Sequence, residues 1–161
     1  MSYAARLSIL ALFVCVPLIG CGGGNTAKRA SAANATGGNS GSVRTSVEEL
    51  DTRINIPYET EDCTWKEDAA HKKLTAVLRF DNEDTAKLAA DLEKIKPGED
   101  VTIPAEPWFP SDLNVESDLR GDDQLHGKAF PADQFFQEPY SSGRLVRIQG
   151  TNYFVLQLTA K

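Results

Sequence analysis

Two histidines, His71 and His126, and three cysteines, Cys15, Cys21 and Cys63, are the side chains of this chain best suited to nucleophilic or soft-metal chemistry. Zinc sites draw such ligands in pairs at short spacing, and here His71, His126 and Cys63 each stand alone. No metal site is expected. Serines are plentiful, but no nucleophile elbow or similar local motif aims one at a histidine, so the sequence nominates no catalytic residue. A triad assembled only in space would not show in such a reading. Asp112, Glu116, Asp118, Asp122 and Asp123 cluster as the ligands of a hard cation do. Their spacing lacks the alternating acids, the glycine and the distal Glu of an EF-hand loop, so solvated loop charge is the better reading and no cofactor is called for.

Binding chemistry has a better candidate. The stretch 104–140 gathers Trp108, Phe109, Phe130, Phe135, Phe136 and Tyr140 among five prolines and reads as a long irregular loop. Such loops are often functional. Trp108, Phe109, Phe136 and Tyr140 are therefore the candidate binding residues, able to line a groove for a peptide, lipid or glycan. The competing and stronger account folds most of these rings into a satellite core beneath the loop.

Cys21 has a different setting. Arg6 supplies a positive start, Leu7 to Ile19 an apolar run, and Gly20 a small residue before a cut, which is the order of a secretory signal peptide. The run is shorter than the roughly 18 apolar residues that a transmembrane helix needs. Leu18-Ile19-Gly20-Cys21 resembles the lipobox of bacterial lipoprotein precursors at all four positions. The resemblance covers only about the first 22 residues. It implies that diacylglycerol alkylates the Cys21 thiol, that residues 1–20 are removed, and that the new amino terminus can then be acylated. Each buried methylene contributes about 0.8 kcal/mol, so two or three chains on one residue hold the protein to the membrane almost permanently. Gly22 stands where the family's inner-membrane retention signal has Asp, which favours the outer membrane if the organism has two.

From Gly22 to Ser46 the chain is Gly, Ala, Ser, Thr and Asn with almost nothing larger that is apolar. Such a segment buries too little surface to offset the entropy of ordering, and it reads as a flexible tether. Lys28, Arg29 and Arg44 lie in it with no acid. All 23 acidic residues follow from Glu48 onward beside 13 basic ones, leaving the domain at −10. That field argues against nucleic acid as a partner, because phosphate binding depends on a basic patch. It permits an envelope protein partner.

The remaining 47–161 are enough for one small domain. Ser46-Val47-Glu48-Glu49 has capping-box spacing and predicts a single helical turn. Arg53–Tyr58 and Leu74–Phe80 alternate apolar and polar residues and read as half-buried strands, with a polar stretch from Glu59 to Lys73 whose one large apolar residue is Trp65. Asp81 or Asn82 can cap a helix from about Glu83 to Ile95, with Leu88, Leu92 and Ile95 along one stripe, ended by Pro97-Gly98. Asp100–Ile103 reads as a short strand. Arg144–Gln149 and Tyr153–Thr159 around Gly150-Thr151-Asn152 read as a hairpin, with Val146 and Ile148 on one face opposite Phe154, Leu156 and Leu158. The fold class that follows is α+β, a mainly antiparallel sheet with one helix packed on a face. Cys63 has no partner once Cys15 is removed and Cys21 lipidated, and is expected as a small buried residue. The leading functional expectation is a lipid-anchored envelope protein with a non-catalytic binding or scaffolding domain. Alternatives are a ligand-binding module for a peptide or cell-wall fragment using 104–140, and a small hydrolase.

Overall fold

The computed structural model describes residues 41–121 and 123–161; the Leu18-Ile19-Gly20-Cys21 motif, Lys28, Arg29 and the tether up to residue 40 lie outside them. The described chain is an α+β fold on one six-stranded antiparallel sheet. In chain order the elements are α1 (Val47–Asp51), β1 (Asp62–Asp68), β2 (Lys73–Arg79), α2 (Asn82–Ile95), β3 (Glu99–Pro104), α3 (Ser111–Arg120), β4 (Gln124–Pro131), a 3-10 turn (Asp133–Phe135), β5 (Tyr140–Ile148) and β6 (Tyr153–Ala160). The spatial order of strands is β1-β2-β6-β5-β4-β3. The closing hairpin thus sits in the middle, and the two early strands and the two later ones flank it.

One face of the sheet carries the larger core. Trp65, Ala76, Leu156, Leu145 and Phe130 pair across five successive strands as a single apolar row, and Leu88 and Leu92 of α2 with Leu50 and Ile54 at α1 close over that face. The α2 helix begins as its sequence demands: Asp81 accepts the Asp84 backbone N–H at 2.7 Å, satisfying a donor the helix cannot pair internally. Ile95, expected on its buried stripe, is 65% exposed because it lies in the last turn, past the edge of the core. Ser46 caps α1 by accepting the Glu49 N–H at 3.1 Å.

Four expected local structures come out differently. The β5–β6 connection has four residues, 149–152, so Leu145 and not Val146 lies across from Leu156, and Val146 and Ile148 join the core on the other face. Arg53–Tyr58 is not a strand. Its alternation does mark burial, since Ile54 is fully buried and Ile56 and Tyr58 pack on the same core. However, Pro57 has no N–H for a ladder, and Asn55 instead bonds the carbonyls of Phe135 and Gln134. The missing strand is β1, inside the polar stretch. Cys63 and Trp65 turn inward while Asp62, Thr64, Lys66 and Asp68 point to the other face, so only two apolar residues betray it. The stretch 104–140 contains α3 and β4. In β4 the apolar pattern is interrupted by Gly127, where a Cβ would lie 2.3 Å from the Arg147 carbonyl oxygen of the neighbouring strand. The α3 helix covers part of the second face through Leu113 and stops at Gly121, whose φ of 77° is a left-handed conformation suited to glycine.

Order also begins ahead of the compositional boundary at residue 46. Arg44 forms a two-way backbone bridge with Trp65 at 2.9 Å, and its guanidinium stacks over the indole ring at 4.8 Å. No helix among the described residues is long and apolar enough to cross a membrane.

Candidate functional site

The second face of the sheet changes character halfway along three of its inner strands, β2, β6 and β5. On β6 the residues facing that side run Tyr153, Val155, then Gln157, Thr159; on β2 they run Val77, then Thr75, Lys73; on β5, Ile148, Val146, then Arg144, Ser142. The apolar half is a second core closed by Phe109 and by Leu113 of α3. The polar half is open, forming a groove of about 590 Å³ floored by Lys73, Thr75, Ser142, Arg144, Gln157 and Thr159.

The segment between β3 and α3 makes the wall. Glu106 borders the groove, and Trp108, half-buried beside it, donates its indole N–H to the Glu106 carboxylate. Trp108 meets the Phe109 ring edge to face at 4.7 Å, so the buried Phe109 fixes the position of the wall. Lys66 of β1, directly across from Thr75, holds its ammonium 4.9 Å from the Trp108 ring centre. Three cations, Lys66, Lys73 and Arg144, thus share one surface. Arg144 donates to Gln157 at 2.8 Å, and none of the three has a carboxylate partner among the described residues. On α2 and in the turn after it, by contrast, Lys87, Lys94 and Lys96 are each tied to an acid within 2.8 Å. Asp68 lies across from Lys73 in the ladder. Its carboxylate is turned to His71, whose ring nitrogen at 2.7 Å and backbone N–H hold Asp68 below the usual carboxylate range.

The four aromatic candidates do not come together. Trp108 and Phe109 belong to the second face, whereas Phe136 and Tyr140 pack on the first. Phe109 and Tyr140 are 5% and 4% exposed and serve the cores. Tyr140 donates to Glu67 at 2.7 Å, and burial together with that carboxylate pushes its phenol far up. Trp108 alone of the four lies beside the groove, hydrogen-bonded to Glu106 of its lining. The signal that could have located the floor was in the strands: apolar residues at i, i+2 giving way to Gln157-x-Thr159, Ser142-x-Arg144 and Lys73-x-Thr75.

The remaining candidates are dispersed. His71 lies exposed in the β1–β2 turn, while His126 is half-buried on β4, separated from β2 by two strands. Asp112, Glu116 and Asp118 lie along α3, and Asp122 is outside the described residues. Among the described residues no group of three or more His, Cys, Asp or Glu is placed to hold a metal ion. A smaller cleft of about 290 Å³ on the first face, beyond the end of the apolar rows, is lined by Asp100, Lys128, Arg147 and Gln149. There Lys128 is drawn toward Glu93 at 3.9 Å.

Cys63 is 2% exposed with its Sγ 3.6 Å from the Thr45 carbonyl, and burial, aided by the charges of Asp62 and Glu48, pushes its thiol up to about 11. Only the thiolate reacts with disulfide reagents, and at pH 8 about one thiol in a thousand is ionised for that value. Native protein should therefore label at Cys63 at least a hundredfold more slowly than denatured protein, measured by mass spectrometry after timed exposure to an aromatic disulfide. Equal rates would mean that Cys63 is open to solvent.

Compared with family models, curated proteins and solved structures, the chain matches none.

Proposed function

We propose that this protein is a lipid-anchored component of a bacterial cell envelope whose acidic domain binds another envelope component, without catalysis, on the open half of the sheet's second face. The observation that carries the binding reading is the groove itself: two cations without acidic partners, Lys73 and Arg144, on a strand floor with a third, Lys66, beside it, in a domain of net charge −10. Side chains on inner strands are held by ladders on both sides, so they present a preorganised surface at little ordering cost. The anchor reading rests on the lipobox residues Leu18, Ile19, Gly20 and Cys21. Loss of one nucleophilic sulfur removes the thioether and with it the acyl chains.

Two variants test the two halves separately. Cys21→Ser should accumulate as an uncleaved precursor lacking acyl mass. Acylated, processed protein from that variant would refute the anchor. Lys73→Glu with Arg144→Glu should keep the melting temperature within a few degrees and yet lose capture of the partner from solubilised envelopes. Normal capture by the folded double variant would place binding elsewhere.

A further inference from the structure

We infer that the ligand of this floor is an acidic glycan, a chain of sugars bearing carboxylates, an inference that rests on the binding reading above. Charge is the first argument. Lys66, Lys73 and Arg144 meet on one face without acids of their own, and the two nearby carboxylates are engaged, Glu106 by Trp108 and Asp68 by His71. The surface is therefore complementary to an anion that the domain does not supply. Arg144 offers the planar fork that pairs with a carboxylate in two parallel bonds.

The backbone beneath supplies the second argument. β2 and β6 are each paired on both edges, and β5 is so paired from Arg144 to Ile148, so over most of the floor the backbone is committed to ladders. Recognition falls to side chains, and those facing the groove are hydroxyls and an amide, Thr75, Ser142, Thr159 and Gln157, between the cations. Groups that both donate and accept match the alternating hydroxyls of a sugar chain. The half-buried Trp108 beside the wall carries the Lys66 ammonium over its ring, which holds the third cation next to the floor.

Titration of the full-length, detergent-solubilised protein with tetragalacturonic acid tests this, read by tryptophan fluorescence. Trp65 is fully buried, which leaves Trp108 as the reporter at the groove. A saturable change is expected, weakened at least tenfold by Arg144→Gln with Lys73→Gln at unchanged melting temperature, and weakened similarly by methyl esterification of the ligand. Equal affinity for the esterified ligand, equal competition by an oligoglutamate of the same charge, or no saturable binding would each overturn the glycan assignment. If it is overturned while Lys73→Glu with Arg144→Glu still abolishes envelope capture, the floor binds a different chemistry and the functional reading stands. Should that charge-reversed variant capture normally, both fall together.

Discussion

Leu156→Asp should abolish the folded state, whereas Gln157→Asp, the next residue, should lower stability by no more than about 1 kcal/mol. Leu156 is fully buried at the centre of the row that joins Trp65, Ala76, Leu145 and Phe130, in the inner strand β6. Truncating a buried leucine costs about 2–5 kcal/mol, and a carboxylate placed there without a partner costs several more. A single domain of this size has only about 5–15 kcal/mol in total. Gln157 faces the polar floor, where it accepts from Arg144 at 2.8 Å, and an aspartate at that position can pair with the same guanidinium. Thermal melting followed by far-ultraviolet circular dichroism distinguishes the two variants. Equal melting temperatures would contradict the register of β6.

Trp65→Ala should cost about 3–5 kcal/mol, the range for removal of a fully buried tryptophan. The residue sits on the outer strand β1, yet it is completely buried, because Ala76 across the ladder is small enough to leave it room and the 44–54 segment covers it. Its indole N–H donates to the Ser46 carbonyl at 3.2 Å, its backbone bridges Arg44, and its ring carries the Arg44 guanidinium. The substitution should therefore speed amide exchange selectively at Arg44 and through α1 as well as lower the denaturation midpoint. Trp65→Phe keeps most of the volume and loses the indole hydrogen bond, for a smaller cost of about 1–2 kcal/mol. A midpoint for Trp65→Ala within error of the native value would show that the 44–54 segment does not depend on this ring.

Where a pattern was local, the amino-acid sequence determined the outcome by itself. Asp81 and the Leu88, Ala89, Leu92 spacing specified α2, Ser46 specified the start of α1, and the alternation on either side of Gly150-Thr151-Asn152 specified the β5–β6 hairpin, though not its register, which the four-residue connection 149–152 shifts by one. Each depends on a cap, a period or a turn completed within a few residues. The α+β class followed from those elements.

Tertiary structure decided the rest. β1 became a strand although five of its seven residues are polar or charged, because a single tryptophan found a cavity left by Ala76 and a cover from residues far ahead of it. Arg53–Tyr58 showed a strand's alternation and is none, since burial of one side does not require a ladder when Pro57 and the carbonyls near Phe135 settle its hydrogen bonds. The aromatics of 104–140 looked like one group because they are near in sequence, but a segment that supplies a helix on one face and a strand within the sheet delivers its rings to both sides. The floor is the clearest case. Lys66, Lys73, Arg144 and Gln157 come from four strands, and Trp108 from a connecting segment, so their proximity exists only after β6 and β5 pair between the early and late strands. Spacing along a chain records which side a residue faces; only strand order decides which residues share that side.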